Sequence, residues 1–186
     1  MNRRQFVANA TATALAASAA PAWASVKLND DGLHVQDWFI DSFMDLREDF
    51  ADTVAKGKQF AIFFEQKGCP YCAEMHKVNL AKPEISKFIQ DNFGVLQINL
   101  WGAREVTDFD GKAMEERQLA QRWRVIFTPT IVFFPPSLDG LDGKSGREIE
   151  VGRIPGYFKP FHFLSYFEYI KAQGYKTASF QRFLQD

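Results

Sequence analysis

Gln59-Phe60-Ala61-Ile62-Phe63-Phe64-Glu65-Gln66-Lys67-Gly68-Cys69-Pro70-Tyr71-Cys72 is the stretch whose reading decides the fold. Its first seven residues are mostly apolar, the pattern of a short strand buried on both faces. Gly68 opens a turn, and a helix is expected from Cys69. Pro70 then falls where a helix accepts proline, because that N–H is not needed. A cysteine at a helix start meets the positive end of the helix dipole and free backbone N–H groups, so its thiolate is favoured. Lys67 adds a positive charge nearby. Cys72 lies about one turn on, close enough to bond Cys69 and more buried. These are the only two cysteines in the chain. A bond between them would close a very short loop and add little stability, so chemistry explains the pair better than architecture does.

Working outward, Asp41 to Lys56 reads as a helix, with Phe43, Leu46, Phe50 and Val54 at spacings of three and four and Gly57 to end it. After Cys72 the helical pattern breaks or restarts at Pro83 and runs through Ile85, Phe88, Ile89 and Phe93 to a stop at Gly94. Val95 to Trp101 is a second strand, 102–113 a polar loop, and Met114 to Arg122 a helix. Thr130 to Phe134 is a third strand, and 137–146 a glycine-rich surface hairpin loop. Arg147 to Ile154 alternates as a strand should. Phe158 to Gln173 is the last long helix, with Phe161, Leu164, Phe167 and Ile170 on one face, and Thr177 to Leu184 adds a short helical piece. A βαβ unit followed by a hairpin and a covering helix predicts an α/β fold with a mixed central sheet flanked by helices.

The chain has 186 residues, 46% of them hydrophobic and 15% aromatic, which suits one domain with a packed core. Net charge is −1 with no basic half, so nucleic acid is excluded as the main partner. Residues 1–24 read as a cleavable export signal: Arg3-Arg4-Gln5-Phe6, a small-residue run from Ala8 to Ala20, and Ala22-x-Ala24 before the cut. The paired arginines resemble a twin-arginine signal, which carries folded cargo; the competing reading is a general secretory signal. Residues 25–40 read as an N-terminal leader with turn formers at Asn29 to Gly32, and 41–186 as the domain with its short C-terminal extension. The expected product is a soluble periplasmic monomer with no membrane span after cleavage.

Three segments carry a resemblance to a known family: Phe63 to Cys72, then Trp123-Arg124-Val125-Ile126-Phe127-Thr128-Pro129-Thr130, then Gly152 and Gly156-Tyr157. On these the chain resembles the thioredoxin superfamily, and especially the SoxW-type periplasmic thioredoxins, over roughly residues 43–173. The resemblance implies the thioredoxin fold and a redox-active disulfide. Cys69 would be the nucleophile and Cys72 the resolving thiol. It also implies a cis peptide bond at Thr128–Pro129 that exposes the Thr128 backbone to substrate, with Pro70 and Tyr71 alongside. Where cytosolic thioredoxins carry a buried Asp, this chain has Phe63; the nearest acid, Glu65, is the candidate proton acceptor for Cys72. The implied activity is reduction of disulfides in exported proteins. A membrane thiol carrier would donate the electrons, no cofactor would be needed, and a place in sulfur oxidation is implied.

Two other readings compete. One is a thiol oxidase that installs disulfides. The other is a metallochaperone holding Cu(I) or Zn(II) with Cys69, Cys72 and His76, one helical turn apart; no fourth ligand is evident and a lone helical histidine is usually surface, so no metal is assigned. Trp101 and Trp123 read as core or rim packing.

Overall fold

The computed structural model describes residues 27–185; the expected export signal and its expected cut after Ala24 lie outside the described residues. The chain enters through a small antiparallel hairpin, β1 (Lys27–Leu28) and β2 (His34–Val35). The Asn29 side chain turns it by accepting the Leu33 N–H at 2.9 Å, and Leu33 is fully buried. The following segment runs along the sheet edge, where the Ile40 N–H donates to the Val95 carbonyl. Residues 27–40 therefore pack on the domain and shield a strand edge.

Helix α1 (Leu46–Ala55) begins later than Asp41. The Asp45 carboxylate caps it, accepting from the N–H groups of Arg47 and Glu48. Met44, just before, has φ 68°, so the chain cannot already be helical there. Phe43 consequently precedes the helix and is fully exposed rather than in the core. Strand β3 (Gln59–Glu65) is buried at all seven positions, as its apolar run implies.

Helix α2 (Pro70–Glu74) continues into a π-helical turn, Met75–Asn79. Helix α3 (Pro83–Asn92) restarts with Pro83 in its first turn. Strand β4 (Phe93–Asn99) starts directly at Phe93, two residues before the position expected from sequence. Phe93 packs edge-on against Phe133 and Phe167 in the core, which holds it in the sheet. Gly94 is thus a strand residue and not a helix stop. A Cβ there would lie 2.5 Å from Thr53 Oγ1, so its absence lets α1 approach β4.

The expected polar loop contains β5 (Glu105–Thr107), which pairs with β6 (Ala113–Glu115). Met114 is therefore a strand residue, and α4 spans Glu116–Arg122. After β7 (Thr130–Phe133), the sequence from Arg147 first forms a short helix, α5 (Gly146–Ile149). Local capping overrides alternation here: the Glu148 carboxylate accepts from the Ser145 N–H at 2.9 Å. Only β8 (Gly152–Pro155) remains strand. Helix α6 (Pro160–Lys171) starts two residues later than expected. It buries Phe163, Phe167 and Ile170, while Phe161, in its first turn, points to solvent. A 3₁₀ turn and α7 (Phe180–Phe183) complete the chain.

The central sheet has the order β4-β3-β7-β8, with β3 parallel to β4 and antiparallel to β7. It is the expected mixed sheet between helices. Phe60, Ile62 and Phe64 face a core with α1, α4 and Trp123. Ala61 and Phe63 face the other, with α3 and the Phe163 and Phe167 rings of α6. Rows of this kind put the end of β3, and the turn leading to Cys69, at one rim of the sheet.

Candidate functional site

Gly68 adopts φ 73°, a left-handed conformation that a side chain would strain, and this swings the chain from β3 into α2. Cys69 is the N-cap of α2, and its Sγ accepts the Cys72 N–H at 3.0 Å. Pro70 follows in the first turn, and Ala73 closes that turn by donating to the Cys69 carbonyl. Cys69 and Cys72 form a disulfide, with Cα atoms 5.2 Å apart. Cys72 is wholly buried and Cys69 is 3% exposed, so only Cys69 has an outlet to solvent.

The Thr128–Pro129 peptide is cis. Thr128 is packed against the sulfur: its Oγ1 donates to Cys69 Sγ at 3.3 Å and its carbonyl oxygen lies 3.6 Å away. The loop after β8 supports this segment from behind, where the Gly156 N–H donates to the Pro129 carbonyl at 2.8 Å. Next to it Tyr157 stacks on Tyr71, ring centroids 6.2 Å apart, and its hydroxyl donates to Asn79. Burial pushes the Tyr157 phenol above its ordinary value, with Glu74 adding to the shift.

The rim is apolar. Tyr71, Trp101, Ile126 and Phe127 are all substantially exposed. Ile126 and Phe127 run straight into Thr128, and Trp101 is tied to Gln66 beside the cysteine turn by a 2.7 Å hydrogen bond. Trp123, by contrast, is wholly in the core. Lys67, expected to lend charge, lays its stem across the N-terminal hairpin, where a Cβ on Gly32 would lie 3.2 Å from it.

Glu65 sits at the end of β3, wholly buried rather than at an open strand end. His76, one turn beyond Cys72, is 1% exposed and not a surface histidine. Its Nε2 lies 3.0 Å from Glu65 Oε1, and its Nδ1 lies 3.0 Å from Gln36 Nε2. Gln97 Nε2 donates to the same Glu65 oxygen at 3.1 Å and to the His34 carbonyl at 2.6 Å. The His34 ring stands 5.7 Å from that of His76, and burial, then His76, lowers its pKa. The sulfurs are bonded to each other and both His76 ring nitrogens are engaged, so Cys69, Cys72 and His76 are not assembled as a metal donor set. Among the described residues no group of three or more His, Cys, Asp or Glu is placed to hold a metal.

Gln36, Gln97 and the role of His76 were not read from the sequence. The one available signal was Gln97 itself, an amide inside the apolar run Val95 to Ile98. An interior amide needs buried partners.

The family described as a thioredoxin-like domain matches residues 46–171 of this chain. Among solved structures, a thioredoxin-fold protein from Helicobacter pylori is similar at 19% identity, covering 75% of this chain and 96% of that one, with a TM-score of 0.56. A thioredoxin from Thermus thermophilus is similar at 27% identity, covering 70% of this chain and 86% of that one, with a TM-score of 0.53. No curated protein matches the chain.

Proposed function

Because the chain belongs to the thioredoxin-like domain family, we propose that it is an exported thiol–disulfide oxidoreductase that reduces disulfides of other exported proteins through Cys69 and Cys72. The observation that carries this reading is the disulfide at the N-terminus of α2, with Thr128 of the cis peptide bond packed on the more accessible sulfur. In the reduced protein, the Cys69 thiolate attacks a substrate disulfide. One substrate sulfur leaves as a thiolate, and the other is held in a mixed disulfide. Cys72 then gives up its proton to Glu65 and attacks Cys69 Sγ. The enzyme disulfide forms, and the second substrate thiolate leaves. The substrate gains two electrons and the Cys69–Cys72 dithiol loses them; a membrane thiol carrier restores the dithiol.

The Thr128 carbonyl lies 3.6 Å from Cys69 Sγ, where it would accept a hydrogen bond from an extended substrate backbone. Pro70, Pro129 and the apolar rim of Tyr71, Trp101, Ile126 and Phe127 favour a partner that presents apolar side chains around its disulfide. Export to the periplasm rests on Arg3-Arg4 and Ala22-x-Ala24. Among the described residues no helix is long and apolar enough to cross a membrane. Reduction as the working direction and a place in sulfur oxidation rest on the resemblance to the SoxW type; a monomeric state is proposed alongside them.

The reduction potential of the protein, measured by equilibration with dithiothreitol or glutathione buffers, tests the direction. A value near about −270 mV fits a reductase, and one near about −120 mV would make it an oxidase. The Cys72→Ser variant is expected to trap a mixed disulfide on Cys69, and Cys69→Ser to abolish turnover. Trapping by Cys69→Ser instead would reverse the two roles.

A further inference from the structure

Glu65 is asymmetric in a way that its position in the chain does not require. Its Oε1 receives two hydrogen bonds, from Gln97 Nε2 at 3.1 Å and from His76 Nε2 at 3.0 Å. Its Oε2 is buried and has no partner. A buried acceptor left open calls for an explanation, because such groups are almost always paired. The donors come from three directions. His76 lies on the π-helical turn that continues from α2, one turn past Cys72. Gln97 lies on β4. Gln36 comes from the N-terminal segment and donates to His76 Nδ1 at 3.0 Å. The Gln36 amide N–H at Nδ1 leaves Nε2 as the ring donor that faces Glu65 Oε1. Phe39, with its ring 5.8 Å from the imidazole, and the His34 ring close the cluster from the outside.

We propose that His76 and Gln36 are positioning residues that keep one oxygen of Glu65 occupied and the other free to take the proton of Cys72. The proposal rests on the dithiol reading above and deepens it. Glu65 shares the face of β3 that carries Ala61 and Phe63, the same face on which the Cys72–His76 helix lies. In the resolving step the Cys72 S–H bond breaks and its proton passes to Glu65 Oε2, directly or through one water. The sulfur electron pair then forms the bond to Cys69 Sγ as the Cys69–substrate bond breaks. The departing substrate thiolate takes a proton from solvent, and Glu65 returns its own when the disulfide is reduced again. His76 transfers nothing; its N–H holds Oε1 and keeps the carboxylate turned. Residues 34–39 thereby become part of the working site rather than a leader.

The test uses the reduced protein and a small aromatic disulfide whose released thiolate absorbs light, followed by stopped flow. The first thiolate reports attack by Cys69 and the second reports resolution by Cys72. His76→Leu should slow the second phase about tenfold or more, with the first phase changed less than about threefold. His76→Gln keeps an N–H for Oε1 and should restore the second phase to within about threefold. Gln36→Leu should slow it by an intermediate factor and carries the test if His76→Leu fails to fold. Glu65→Gln should slow it as much, and adding His76→Leu to Glu65→Gln should cost nothing further, since both act through one carboxylate. A second phase unchanged in His76→Leu, no rescue by His76→Gln, or full additivity with Glu65→Gln would overturn the proposal. Absence of the first phase in the unaltered protein would instead remove the dithiol reading beneath it.

Discussion

Replacing Asp108 by alanine should cost far more than its place in a polar loop suggests. The side chain is wholly buried, and each oxygen takes two donors. Oδ1 accepts the N–H groups of Phe109 at 2.7 Å and Gly146 at 2.9 Å. Oδ2 accepts Arg122 Nη1 at 2.6 Å and Trp123 Nε1 at 3.0 Å. Alanine does not strand Arg122, which keeps both oxygens of Asp110. It does strand the indole N–H and the Phe109 and Gly146 amides, at about 1–3 kcal/mol each. The expected loss is therefore about 3 kcal/mol or more in urea unfolding. Asparagine should not rescue it, because its NH₂ would face two donors in place of one of the oxygens. The site matters beyond stability: Trp123 leads the chain into the Thr128–Pro129 segment, and Asp108 joins it to the start of α5. A loss below about 1 kcal/mol for Asp108→Ala, or a near-native Asp108→Asn, would refute this account of the cluster.

Asp110 gives a pH signature. The Arg122 guanidinium, with Lys112, holds its carboxyl well below the usual carboxylate range. A depressed carboxylate contributes stability above its unfolded value of about 3.9 and loses it as pH falls through the folded value. Asp110→Asn should therefore be clearly less stable than the parent at pH 7, with the gap closing toward about pH 2; urea midpoints across that range would show otherwise if the gap held constant. Gly146→Ala would place a Cβ 2.0 Å from Trp123 Cζ2, against a ring that is fully buried and stacked on Phe109. Overpacking of about 1–3 kcal/mol should lower the melting temperature by several degrees, and an unchanged melt would mean that the indole has room to move.

The region around the cysteines was legible because its signals are local. An apolar run of seven, a glycine, and a cysteine followed by proline each act on immediate neighbours, and β3, the Gly68 turn and α2 formed where that reading put them. Boundaries set by more distant contacts were not legible. Phe93 joined β4 and not α3 because Phe133 and Phe167 receive its ring. Residues 147–149 became helix because Glu148 reaches back to Ser145. Phe43 and Phe161 fit a helical period, yet each falls outside the stretch of helix that meets the sheet.

By itself, then, the sequence determined the α/β order and the cysteine pair at a helix start, while the proline segment that meets the pair was implied by the family resemblance. The order and the pair follow from backbone preference and burial pattern, which depend on residues close together in the chain. Only the tertiary structure decided that Glu65 is buried, that His76 faces it, and that Gln36 and Gln97 complete the cluster. Those contacts join residues 11 to 40 positions apart. A hydrogen bond needs its donor within about 3 Å of its acceptor. No periodicity in the chain encodes a distance that is set by how separate helices, strands and an N-terminal segment pack together.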